Sequence, residues 1–392
     1  MFTNDELKNY LNDLKHITSI DSQSNDVNGI SLVMDFFVNQ AKDLSMQSYF
    51  IDNTPQSGPL LLISNGAKDE KLDVLMIAHL DTVYPKGTAK ERGFKIEGNK
   101  VLAPGCIDDK GGALLGMYAL KHLNLDDIKI GLLLNINEEV GSIGSRDIIK
   151  DLAQNASNVL VLEASREDGS LVNKRYGTIN YEITISGVGG NVLDVNSNIV
   201  SPVADFANIL RTLLMIKSFN HSLISNIYQI HTSENNAKNH SLSSMSIGFY
   251  VRYLDSYSLK SVQDKIELIK EKKLNQNVDI QVKKVSHYSA MEEKSTTRSL
   301  KRLIELEGKN LGIDIKWQTS FGGSDGCFAS LGCDKVIDGM GPIGGKFHSN
   351  DEYLLIDSVA PRCNLLINVI NKIIKEKTPR ITIRKQNDKQ QQ

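Results

Sequence analysis

The sequence predicts an α/β fold interrupted by an inserted α+β domain, and three observations carry that reading. Across residues 1–175, apolar segments of strand length alternate with helical patterns. The run Val74-Leu75-Met76-Ile77-Ala78 is apolar throughout, as expected of a strand covered on both faces. The middle of the chain switches to period-two alternation, INYEITIS over 179–186 and VDIQVKKV over 278–285, before the α/β pattern resumes.

Taken in order, the start MFTNDELKNYLNDLKHITSI reads as an amphipathic helix, without the basic stretch and apolar run of a signal peptide. Strands are expected over 60–64, 72–79, 128–137 and 158–164. A helix over 112–123 puts Leu115, Tyr118, Ala119 and His122 on or near one stripe. Another over 145–154 follows a glycine-rich turn, with Ser145 placed to cap it. The middle reads as strand 179–186, helix 203–216, strand 245–252, helix 263–272 and strand 278–285, a small open sheet with helices on one face. Helices are expected again over 297–311 and 356–374. The predicted organisation is therefore a discontinuous domain, 1–177 and 289–375, an inserted domain at 178–288, and a polar, basic, disordered tail at 376–392.

Composition narrows the partners. With 45 basic and 47 acidic side chains the net charge is −2, which offers no general attraction to nucleic acid or to an anionic membrane. The longest apolar runs fall far short of a membrane span, so the cytoplasm is the expected location. Cys106, Cys327, Cys333 and Cys363 form no Cys-x-x-Cys pair and read as free buried thiols rather than metal ligands.

Five segments could carry chemistry. In IAHLDTVYP (77–85), His79 ends a strand and Asp81, two residues on, lies on the same side, where a carboxylate can orient a ligating imidazole. In APGCIDDKGG (103–112), adjacent acids precede glycines that allow a tight turn. In NINEEVGSIGSRD (135–147), an apolar strand ends in Glu138-Glu139, paired acids that repel unless a cation or proton compensates. Glu163 closes the strand in VLVLEASREDG (159–169), and His348 sits in the glycine-rich loop GGKFHSNDEYL (344–354). Each segment alone reads equally as a bland turn. Together they supply two imidazoles and three carboxylates at strand ends and loops, a nitrogen and oxygen donor set that suits zinc, with manganese or cobalt as rivals.

The order and wording of HLDTVY, GCIDDKGG, NEEVGSIGSRDII, FGGSDG and FHSNDEYLLID resemble the aminoacylase/carboxypeptidase family of co-catalytic zinc metallopeptidases, in the style of its bacterial glutamate carboxypeptidase branch. The resemblance covers nearly the whole chain. It implies a mixed, mostly parallel sheet flanked by helices, with an inserted α+β lid and dimerisation domain. It implies two zinc ions: His79 and Glu163 on one, Glu139 and His348 on the other, Asp108 bridging, and a cis peptide between Asp108 and Asp109. Glu138 would be the general base and Asp81 would steady His79. The substrate would be an N-acyl amino acid or short peptide losing its C-terminal residue, glutamate by the branch's habit, and the chain would form a homodimer through the lid.

The lid departs from the family's wording. In SGVGGNVLD (186–194), Asn191 stands where relatives hold an oxyanion-donating His. Asn239 and Arg252 fall at substrate-contacting positions, whereas Leu242 replaces a proline and His287 an arginine. These departures leave a second reading: a catalytically impaired zinc protein of the same fold that binds a peptide or amino acid, or serves assembly. A nucleotide-binding reading of GVGG (187–190) or GPIGGK (341–346) lacks the required spacing, since Met340 and Phe347 occupy positions a phosphate loop gives to Gly and to Ser or Thr.

Overall fold

A computed structural model of the chain describes residues 1–52, 58–216, 222–233, 237–271 and 273–377. Within the expected tail, residues 378–392 lie outside the described residues. The chain divides into two compact units: Met1–Val172, Lys294–Trp317 and Phe328–Gln392 form the first, and Asn173–Glu293 with Gln318–Cys327 form the second.

The first unit is built on a sheet with six strands among the described residues, in the order Gln47–Ile51, Leu60–Ser64, Ile130–Asn135, Val74–His79, Val159–Val161, Val336–Ile337. The first two junctions are antiparallel and the other three parallel, so the sheet is mixed and mostly parallel. Val74–His79 and Ile130–Asn135 are buried at every position, which is why their sequences show no alternation. The helix Lys110–Leu120 packs beside them and is buried on all sides, its glycines permitting close approach. This replaces the single stripe expected over 112–123: the helix starts earlier, and His122 lies beyond its end with Nε2 2.9 Å from Glu6. Ser145 does not cap its helix. Gly144 occupies the cap, and the buried Ser145 hydroxyl donates instead to Asn137 Oδ1 at 2.5 Å. The four cysteines are free and buried.

The second unit is a four-stranded antiparallel sheet in the order Ile224–Thr232, Ser244–Tyr253, Gly177–Ser186, Asp279–Tyr288, with helices Val203–Ile216 and Ser256–Glu271. Its core is separate, gathered around Ile179, Ile183, Leu213, Ile247, Phe249 and Val262. The strand Ile224–Thr232 was not expected from the sequence. It is an edge strand, largely exposed, and so carries no clean apolar alternation. Among the described residues no helix is long and apolar enough to cross a membrane.

Candidate metal centre

The centre forms where adjacent strands of the first unit end. His79 pairs in register with Asn135 on the neighbouring strand, so the turn Glu138–Val140 begins beside it. On the other side, Leu162 donates its N–H to Ile77 O at 2.7 Å, and Glu163 follows directly. Strands spaced about 4.8 Å apart thus deliver His79, Glu138, Glu139 and Glu163 to one place. Asp108 arrives on the turn before the helix Lys110–Leu120, and the Asp108–Asp109 peptide is cis. His348 arrives on the loop between Gly344–Gly345 and Tyr353–Leu355, with φ 57°, the left-handed region that non-glycine residues rarely occupy.

Asp108 lies at the middle. One carboxylate oxygen is 3.0 Å from His79 Nε2, and the other is 3.1 Å from His348 Nε2. His348 Nε2 also lies 3.0 Å from Glu139 Oε2, and His79 Nε2 lies 3.7 Å from Glu163 Oε1. Two overlapping groups could hold a metal ion: His79, Glu138 and Glu163, and His79, Asp108 and Glu139. The carboxylate of Glu138 therefore stands among the ligand-type atoms rather than apart from them.

Asp81 is fully buried and holds three donors. Its Oδ1 accepts the Glu138 N–H at 3.0 Å; its Oδ2 accepts the Glu139 N–H at 3.1 Å and the Ser24 hydroxyl at 2.6 Å. The Asp81 backbone oxygen faces His79 Nδ1 at 3.0 Å, which leaves Nε2 turned to the centre. One residue thereby sets the imidazole and the backbone of both acids.

Charge at the centre is unbalanced. Asp81, Asp108, Asp109, Glu138, Glu139 and Glu163 crowd two imidazoles. Burial, with the Asp108 charge beside it, pushes the Glu139 carboxyl above its ordinary range. Burial and the Glu163 charge push Asp109 up. Burial opposes the charged form of Asp108, yet hydrogen bonds with His348 and His79 outweigh it and hold that carboxyl below its usual range. Hydrogen bonds to Asp108 and Glu139 raise His348 to about 10. The upward shifts of Glu139, Asp109 and His348 report a site short of positive charge, while Asp108 is already compensated by the two imidazoles. The donors are imidazole nitrogens and carboxylate oxygens, which fit zinc, manganese or cobalt.

The expected substrate contacts lie in the second unit. Asn191 Oδ1 accepts from the Leu193 N–H at 3.1 Å and from Asn239 Nδ2 at 3.2 Å, so the structure brings Asn191 and Asn239 together and leaves only the Asn191 amide to donate elsewhere. Arg252 donates to the Tyr250 hydroxyl and the Phe321 carbonyl. His287 Nε2 lies 2.6 Å from the Tyr253 hydroxyl. Sequence reasoning missed Glu352. It is fully buried and accepts N–H groups from Gly105, Ile107 and Asp108, although it sits within the segment quoted for His348.

The model of peptidase family M20/M25/M40 matches residues 75–372. The chain is similar to carboxypeptidase G2 of Pseudomonas sp. (strain RS-16), 26% identical over 93% of this chain and 89% of that one. Among solved structures it resembles aminopeptidase PepT of Bacillus cereus, with a TM-score of 0.71 at 16% identity over 94% of this chain and 98% of that one. It also resembles the M20 family metallo-carboxypeptidase Sso-CP2 of Sulfolobus solfataricus, with a TM-score of 0.62 at 14% identity over 93% and 99%.

Proposed function

Because the chain belongs to peptidase family M20/M25/M40 and is a hydrolase of that family, we propose that it cleaves the amide bond of an N-acyl amino acid or short peptide, releasing the C-terminal residue, at a centre of two divalent ions, zinc foremost. The observation that carries the reading is Asp108, whose two oxygens face the Nε2 atoms of His79 and His348 at 3.0 and 3.1 Å. A carboxylate so placed suits a bridge between two cations. His79 and Glu163 would hold one ion, and Glu139 and His348 the other. Bound there, divalent ions supply Lewis acidity toward a carbonyl oxygen and a water.

The chain's own part is proton transfer and alignment. Glu138 takes the proton of the attacking water at a carboxylate oxygen and delivers it to the departing amine nitrogen. Its backbone N–H is held by Asp81, which anchors the turn that carries it.

The test is Glu138→Gln assayed on N-acyl amino acids and dipeptides, with metal content measured alongside. The expected result is a fall in kcat of about 10²–10⁴-fold with two ions per chain retained, since a general base contributes about that much. Loss of an ion in the variant would instead make Glu138 a ligand, an outcome its place in the first metal group makes worth measuring. A second reading is favoured by Asn191, whose carboxamide oxygen is engaged within its own turn. On that reading the metal-loaded wild type binds such substrates without turnover across the panel.

A further inference from the structure

We propose that Glu352 is a positioning residue of the metal centre, the buried carboxylate that sets the Asp108 turn against the His348 loop. The inference rests on the metal reading above and goes beyond it, because Glu352 faces no substrate and donates no ligand atom in that scheme. Its Oε2 accepts the Gly105 N–H at 2.9 Å, and its Oε1 accepts the Ile107 and Asp108 N–H groups at 3.1 and 3.2 Å. Three backbone donors from one turn thus converge on one side chain, and the last of them belongs to Asp108 itself.

The other end of the link is covalent. Glu352 follows His348 by four residues, in the loop whose Ser349 carbonyl accepts the Tyr84 hydroxyl at 2.8 Å. Tyr84 lies five residues after His79. Glu352 and Tyr84 therefore tie together the three loops that carry His79, Asp108 and His348. A carboxylate here accepts at both oxygens, whereas a carboxamide of the same shape would turn an NH2 toward at least one backbone N–H. The consequence is a displaced Asp108 turn with the ligand side chains themselves unchanged.

The experiment titrates Zn2+ alone, in competition with a chromophoric chelator, into metal-free wild type, Glu352→Gln and Glu352→Asp, and records the absorption spectrum of each protein loaded with Co2+. Folding is checked by circular dichroism. The expected result is a roughly 10–100-fold weaker affinity in Glu352→Gln, the usual effect of removing a group that orients ligands. An altered Co2+ spectrum should accompany it, with partial recovery of both in Glu352→Asp. If Glu352→Gln does not fold, the aspartate variant carries the test, and its affinity should fall between that expected of the glutamine variant and wild type. Unchanged affinity and spectrum in a folded variant overturn the positioning role while leaving the metal reading intact. A wild type that binds no Zn2+ stoichiometrically overturns the metal reading itself.

Discussion

Asp81 illustrates how much of the centre depends on groups that need not touch a ligand. Its two oxygens accept from both Glu138 and Glu139 backbones and from Ser24, so every lone-pair direction that matters is used. Asp81→Asn would keep the shape and replace one acceptor by an NH2 donor facing an N–H. The expected outcome is a loss of activity of about 10–100-fold, read as kcat on metal-reconstituted protein. Activity equal to wild type would show that the turn holding the two acids is set by other contacts. At this scale the sequence was informative wherever an acid or imidazole ended an apolar strand. It was silent on Glu352, because that side chain acts on backbone N–H groups some 244 to 247 residues away, and nothing local in NDEYL reveals them.

At the scale of elements, the helix Lys110–Leu120 controls the geometry by how closely it lies on the sheet. A Cβ built on Gly112 would stand 2.1 Å from the Leu162 carbonyl oxygen and 2.2 Å from Asp109 Oδ1. The first contact is backbone and cannot swing away. Gly112→Ala should therefore destabilise by about 1–3 kcal/mol, the range for overpacking, seen as a lower urea midpoint with an unchanged slope. Since Leu162 precedes Glu163 and Asp109 follows Asp108, Zn2+ affinity should weaken too. A variant as stable as wild type would mean that the helix has room to shift. The buried strands were legible because both faces are covered and their residues are uniformly apolar. The helix's full burial was not, since a segment without polar residues after Lys110 offers no contrasting face, and Ser145 was misread because a cap and a first helical residue differ by one position. The exposed edge strand Ile224–Thr232 escaped for the opposite reason, having no buried face to leave a pattern.

At the scale of the whole molecule, the two units have separate apolar cores, and every proposed ligand belongs to the first. Binding that occurs only in the folded state stabilises the unit that binds, by about 2.7 kcal/mol when free ligand stands at a hundred times its dissociation constant. For a domain of 150–250 residues each kcal/mol moves Tm by roughly 2–4 °C, so chelation should lower the first unit's transition by about 5–10 °C for each ion removed. The second unit supplies no ligand, and its core around Ile183, Ile247 and Phe249 is complete within itself. Calorimetry of metal-loaded and chelated protein should therefore show one transition that moves and one that stays. Assignment follows from a core truncation in the second unit, Phe249→Ala, which should shift only the stationary transition by the few kcal/mol such truncations cost. If chelation moves both transitions equally, the two cores unfold as one cooperative body. If it moves neither, the six carboxylates and two imidazoles of the centre hold no metal that matters to the first unit's stability.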